Sequence, residues 1–107
     1  HMPSMTGFHC SVADFLVRAE GRIPSLAGVK FTHEDLLDLG LCRQACGGRY
    51  DILYGRDETL LCGLALGCTG AVGSTYNYAG RLYLDVIDAF GRGDLDAARA
   101  AQFRAQR

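Results

Sequence analysis

Lysine is almost missing from this chain. Of its eleven basic side chains ten are arginine, which leaves Lys30 alone. Arginine keeps its proton in any protein environment and cannot act as an amine nucleophile. A desolvated lysine can lose its proton and condense with a carbonyl to give a Schiff base. Imine chemistry therefore has one possible seat in these 107 residues. Two readings of a single lysine stand side by side: a chance survivor of drift towards arginine, or a retained nucleophile. Its surroundings favour the second. Lys30 lies in the apolar run Leu26-Ala27-Gly28-Val29-Lys30-Phe31, which reads as a buried strand, where an unpaired ammonium is costly.

Other absences exclude whole classes of function. The net charge is −1 and the pI about 6.3, so no basic field awaits nucleic acid or an anionic membrane. No apolar stretch approaches the roughly 20 residues that span a bilayer, and no signal peptide is visible. There is no C-x-x-C pair. The five cysteines (Cys10, Cys42, Cys46, Cys62, Cys68) are odd in number. Cys42 and Cys46 fall one turn apart on an expected helix, but no histidine follows at zinc-site spacing. The expectation is buried free thiols in a cytoplasmic protein, with no metal. Gly67-x-x-Gly70-x-x-Gly73-Ser74-Thr75 has the glycines of a phosphate loop without its lysine, so no nucleotide site is expected. His9 and His33 lie near expected helix starts and read as solvated. His1-Met2 reads as an expression scar.

Strand-like and helix-like segments alternate within the length of one ordinary domain. Ser11 and Asp14 have capping-box spacing and open a helix to about Arg22, broken by Pro24-Ser25. After the Lys30 strand, Thr32 to Asp35 repeats the cap signature before a helix carrying Leu36, Leu37 and Leu41. Gly47-Gly48 ends it, and Tyr50 to Tyr54 reads as a second strand. Asp57 can cap a helix over Thr59 to Gly67, apolar on every face and so in need of cover. Thr69 to Gly73 gives a third short strand. A helix from about Tyr76 to Phe90 follows, with Leu82, Val86, Ile87 and Phe90 on one face, and Asp94 caps the last one. Pro3 to Gly7 resembles the tail of a strand. Such alternation argues for βαβ units and a parallel sheet, about three and a half units in all.

Three blocks carry a resemblance: Gly28-Val29-Lys30-Phe31-Thr32, Gly55-Arg56-Asp57-Glu58, and Gly70-Ala71-Val72-Gly73-Ser74-Thr75-Tyr76-Asn77. Together, in order and at the expected spacing, they resemble the N-acetylneuraminate lyases (sialic acid aldolases), class I aldolases with a (β/α)8 barrel. Related lyases that make dihydrodipicolinate share the lysine. They do not usually carry the Gly-x-Asp-Glu and Ser-Thr-Tyr-Asn steps, which favours the sialic acid branch.

The resemblance implies an α/β fold: residues 3–107 as the C-terminal half of a TIM barrel with a trailing helix. It implies that Lys30 is the catalytic Schiff-base residue, in a retro-aldol cleavage of N-acetylneuraminate to N-acetylmannosamine and pyruvate with no other cofactor. It implies that Thr32, Gly55, Asp57, Glu58 and Ser74 hold the sugar portion. Those residue types follow expected strand ends, where barrel active sites lie. Each has a plainer alternative. Thr32, Asp57, Ser74 and Thr75 suit helix caps, and Glu58 suits the positive end of its helix.

The family's catalytic tyrosine falls on the strand before Pro3, and none of Tyr50, Tyr54, Tyr76, Tyr78 and Tyr83 matches it. The loop that binds the substrate carboxylate belongs to the first half of the barrel. Weak or absent lyase activity is therefore expected of these residues alone. A half-barrel also exposes sheet edges and an apolar face, so a homo-oligomer completing the sheet is expected. Two further readings remain: an inactive half-barrel serving as an oligomerising or binding module, and a self-contained small α/β binding domain.

Overall fold

Two short strands meet because each alternates an apolar side chain for the helices with a different one for the opposite face. β1 (Gly28–Phe31) and β2 (Asp51–Tyr54) pair in parallel in a computed structural model that describes residues 1–107. The register sets Gly28 against Asp51, Lys30 against Leu53 and Phe31 against Tyr54. Phe31, Ile52 and Tyr54 are fully buried against the helices. Lys30 and Thr32 lie on the other face and are half-buried. Gly28 is obligatory on steric grounds, since a Cβ there would run into the Asp51 carbonyl.

The expected third strand shrinks to one bridge, Tyr54 with Ala71, made by Tyr54 N–H to Gly70 O and Val72 N–H to Tyr54 O. Gly70 and Gly73 supply no side chains with which a strand could pack. On the other edge, the His1 amino group donates to Lys30 O at 2.8 Å and Thr32 N–H donates to His1 O at 2.9 Å. His1 thus extends the sheet beside Phe31. Across the sheet His1, Phe31, Tyr54 and Ala71 are neighbours in chain order, all running in parallel. That succession is the one a barrel requires.

The segment expected as a strand tail is instead a helical turn, α1 (Pro3–Thr6). Proline at the first position and Gly7 at φ 69°, its N–H on Pro3 O at 2.8 Å, give it a start and a stop. α2 (Val12–Ala19) starts at Ser11, whose Oγ accepts from Asp14 N–H at 3.1 Å, as its spacing suggests. α3 (Leu36–Gln44) is capped by Asp35 rather than Thr32, with Asp38 N–H donating to Asp35 at 2.9 Å. Its buried residues are Asp38, Leu39 and Cys42, while Leu36, Leu37 and Leu41 face outward. A 3-10 turn (Ala45–Gly48) follows, and Cys46 at φ 52° lies beyond α3 rather than one turn along it.

After β2, a 3-10 turn (Asp57–Thr59) leads into α4 (Leu60–Ala65). Gly63 presses on the Tyr54 ring, where a Cβ would come within 2.5 Å of Cγ. The helix also packs against the last two helices, which bury Leu60, but it is not covered all round: Cys62 and Ala65 are exposed. α5 (Tyr76–Gly91) buries Tyr83, Val86 and Ala89, whereas Ile87 faces out. α6 (Leu95–Ala105) starts at Asp94, which accepts from Ala97 N–H at 3.0 Å as expected, and packs along α5. No helix is long and apolar enough to cross a membrane.

All five cysteines are free, but only Cys42 and Cys68 are buried; Cys10 and Cys62 are exposed. Burial, with Asp38 adding to it, pushes the Cys42 thiol from 9.0 up to about 12, and burial raises Cys68 and Tyr54 as well. A neutral thiol fits the core and a thiolate does not. The stabilisation that Cys42 contributes is therefore complete below pH 9.0 and lost as pH rises towards 12. Urea midpoints should stay level up to pH 9.0 and fall steadily above it. A midpoint still level at high pH would contradict this account.

Candidate functional site

The six residues singled out in the sequence, spread from position 30 to position 74, border one cleft of about 810 Å³ at the ends of the strands. Their convergence follows from topology. Lys30 and Thr32 share one face of β1, Gly55 follows β2, Asp57 and Glu58 form the next turn, and Ser74 follows the Ala71 bridge.

Gly55 continues the ladder, its N–H donating to Phe31 O at 2.8 Å. A Cβ on Gly55 would lie 3.1 Å from Lys30 Cε and would overlap the Thr32 hydroxyl. The glycine is therefore the floor on which the lysine stem and the threonine rest. Thr32 Oγ1 is buried without a hydrogen-bond partner, and Asp35 performs the capping that was its alternative role. An unsatisfied buried hydroxyl facing a cleft is a group whose partner is missing.

Asp57 is 5% exposed. Its side chain does not cap its own turn. Oδ2 instead accepts from Thr75 N–H at 3.0 Å and from Thr75 Oγ1 at 2.5 Å, which also removes Thr75 from the capping of α5. Oδ1 is buried and unpartnered. The carboxylate lies so close to Gly73 that no Cβ fits there. Ser74 is exposed at the rim, and its side chain makes no hydrogen bond within the chain, so it caps nothing either. Glu58 is largely exposed and pairs with Arg56 at 3.6 Å.

Three features escaped the reading of the sequence. Arg56 lines the cleft and reaches Glu34 at 3.2 Å as well as Glu58, tying the turns after β1 and β2 together. Tyr76 brings a phenol whose proton is held more tightly than usual, by burial first and then by the Asp57 carboxylate. Its ring meets Tyr83 edge-on at 4.7 Å. Gln102 of α6 hydrogen-bonds the turn that carries Asp57. The Ser-Thr-Tyr-Asn step itself signals Tyr76, whereas nothing local signals Gln102.

The cleft thus presents one amine, hydroxyls and two carboxylates. Its lining contains neither histidine nor cysteine, and no cluster of such side chains is placed to hold a metal. An amine with orphaned hydroxyl and carboxylate oxygens suits a polyhydroxy carbonyl compound.

The model of the dihydrodipicolinate synthetase family matches residues 1–107. The chain belongs to this family. A mouse (Mus musculus) N-acetylneuraminate lyase is 46% identical over 108 residues, covering 100% of the chain and 34% of that protein. A Xenopus tropicalis N-acetylneuraminate lyase is 47% identical, covering 95% and 33%. Among solved structures, Proteus mirabilis N-acetylneuraminate lyase superposes with a TM-score of 0.89 at 41% identity, over 95% of the chain and 34% of its own. That of Aliivibrio salmonicida gives 0.88 at 43%, over 92% and 33%. The chain therefore spans about a third of the length of the curated relatives it matches. It is a mixed α/β segment that matches part of their barrels. The family's lyases are class I aldolases, which work through a lysine Schiff base without a metal.

Proposed function

We propose that these residues are the C-terminal half of an N-acetylneuraminate lyase barrel, with Lys30 as the Schiff-base nucleophile. The barrel's reaction is retro-aldol cleavage of N-acetylneuraminate to N-acetylmannosamine and pyruvate. The Lys30 amine adds to the substrate ketone, water leaves, and the resulting imine takes up the electron pair of the carbon–carbon bond as it breaks. The hydroxyl proton leaves as the sugar aldehyde forms, the enamine left on Lys30 takes up a proton at carbon, and hydrolysis then frees pyruvate and restores the amine. Thr32, Gly55, Asp57, Glu58 and Ser74 bind the hydroxylated end of the substrate. The observation that carries this reading is the meeting of all six in one cleft, with Thr32 Oγ1 and Asp57 Oδ1 both lacking partners.

The 107 residues supply the nucleophile and the sugar-binding end. Turnover by them alone is weak or absent, because the proton-transfer tyrosine and the carboxylate-binding loop belong to the other half of the barrel. The edge beside Ala71 and the exposed Val72 favour association that completes the sheet. The inactive oligomerising module is the second reading, favoured by the same open edge. Borohydride reduction in the presence of pyruvate separates the two. A covalent adduct confined to Lys30 supports the lyase reading, and an unmodified chain beside a reactive mouse enzyme supports the module.

A further inference from the structure

Gln102 is a buried amide, 4% exposed, on a helix that contributes no proposed ligand to the cleft. Its Oε1 accepts from Leu61 N–H at 2.9 Å and its Nε2 donates to Asp57 O at 3.3 Å. A backbone donor on one side and a backbone acceptor on the other fix which way the amide points. Four residues later Gln106 donates from Nε2 to Glu58 O at 2.5 Å. One face of α6 therefore grips the carbonyls of two adjacent acidic residues.

The turn needs such a grip. Leu61 N–H is a first-turn donor of α4, and Thr59 at the cap position offers it no side-chain acceptor. Without Gln102 the half-buried Leu61 N–H goes unpaired and the Asp57 carbonyl keeps only its bond from Leu60 N–H, so the turn would rotate to satisfy the orphaned donor. The Asp57 side chain is tied separately, through Oδ2 to Thr75, so rotation of its backbone would swing Oδ1 relative to the cleft. Lys30 on β1 belongs to another element and takes no part in these hydrogen bonds.

We propose that Gln102, assisted by Gln106, is a positioning residue for the sugar-binding end of the cleft, acting through the backbone of Asp57 and Glu58. The role rests on the lyase reading, and it separates binding of the hydroxylated end from imine formation at Lys30.

The test uses the longest polypeptide that carries this sequence, with Gln102→Leu and Gln106→Ala. Gln102→Leu should raise KM for N-acetylneuraminate about tenfold, and Gln106→Ala about threefold, as expected for lost buried and exposed hydrogen bonds. Both kcat and borohydride trapping of pyruvate should stay within about twofold of the parent. An unchanged KM in both variants overturns the role, as does a parallel loss of trapping and sugar affinity in both. If Gln102→Leu does not fold, Gln106→Ala decides, because Gln106 is exposed and its removal leaves no core defect. A parent that neither traps pyruvate nor cleaves the sugar overturns the lyase reading itself, and the positioning role with it.

Discussion

Asp38→Ala is expected to destabilise the chain by about 3 kcal/mol, more than any surface substitution would. Asp38 belongs to the first turn of α3, yet its carboxylate serves the start of α2. Oδ2 accepts from Val12 N–H at 2.7 Å, and Oδ1 accepts from Ala13 N–H at 3.2 Å and from Ser11 Oγ at 3.0 Å. The residue is 6% exposed. Two helix N-termini point their partial positive charge at one anion, which is why a carboxylate can be buried there without a cationic partner. Alanine leaves two buried amide donors unpaired, and each costs on the order of 1–3 kcal/mol. The loss corresponds to a fall in Tm of about 10–20 °C for a domain of this size. Asp38→Asn keeps the shape and one acceptor but not the charge, so it should lose about half as much. Urea midpoints of the two variants check this. Equal stabilities for Asp38→Ala and the parent would mean that water replaces the carboxylate at no cost.

That cap marks the boundary of what the sequence makes legible. Local signals read well where one side chain answers its own backbone: Ser11 and Asp94 cap the helices that follow them. They fail where a residue answers a backbone far away. Asp38 serves residues 25 to 27 positions earlier, and Gln102 serves Asp57 and Leu61 across more than 40. No spacing rule reaches that far. At α3 the leucines Leu36, Leu37 and Leu41 mark a helix in the sequence but not its buried face, which is Asp38, Leu39 and Cys42. Burial of Lys30 was overstated for a related reason: in a sheet of two strands and a bridge, only the helix-facing side is closed. The lining of the cleft was legible through motif, since Gly55 and Gly73 stand where the close approach of Thr32 and Asp57 leaves no room for a Cβ. Spacing alone left Thr32, Asp57 and Thr75 as caps, and the hydrogen bonds show that none of the three caps its following helix with its side chain.

Lys30→Arg is expected to abolish pyruvate trapping altogether while leaving the fold intact. Arginine preserves the positive charge and most of the stem that rests on Gly55, so the packing of Lys30 Cε has a near substitute. What disappears is the amine. A guanidinium offers no lone pair to a ketone at neutral pH, and no imine can form. Because Lys30 is the only lysine, no neighbouring amine can take over, and the background from surface adducts common in lysine-rich proteins is absent. Peptide mapping of the reduced adduct therefore locates the label directly. Label on the Lys30 peptide in the parent, and none on any peptide of Lys30→Arg with an unchanged urea midpoint, is the expected result. Label that persists in Lys30→Arg at the parent level would take the carbonyl chemistry away from Lys30 and remove the basis for the lyase reading. Loss of label together with a collapsed urea midpoint would mean that the stem of Lys30 holds the β1 edge. A Lys30→Met variant, which keeps an unbranched stem without a charge, then separates packing from nucleophilicity.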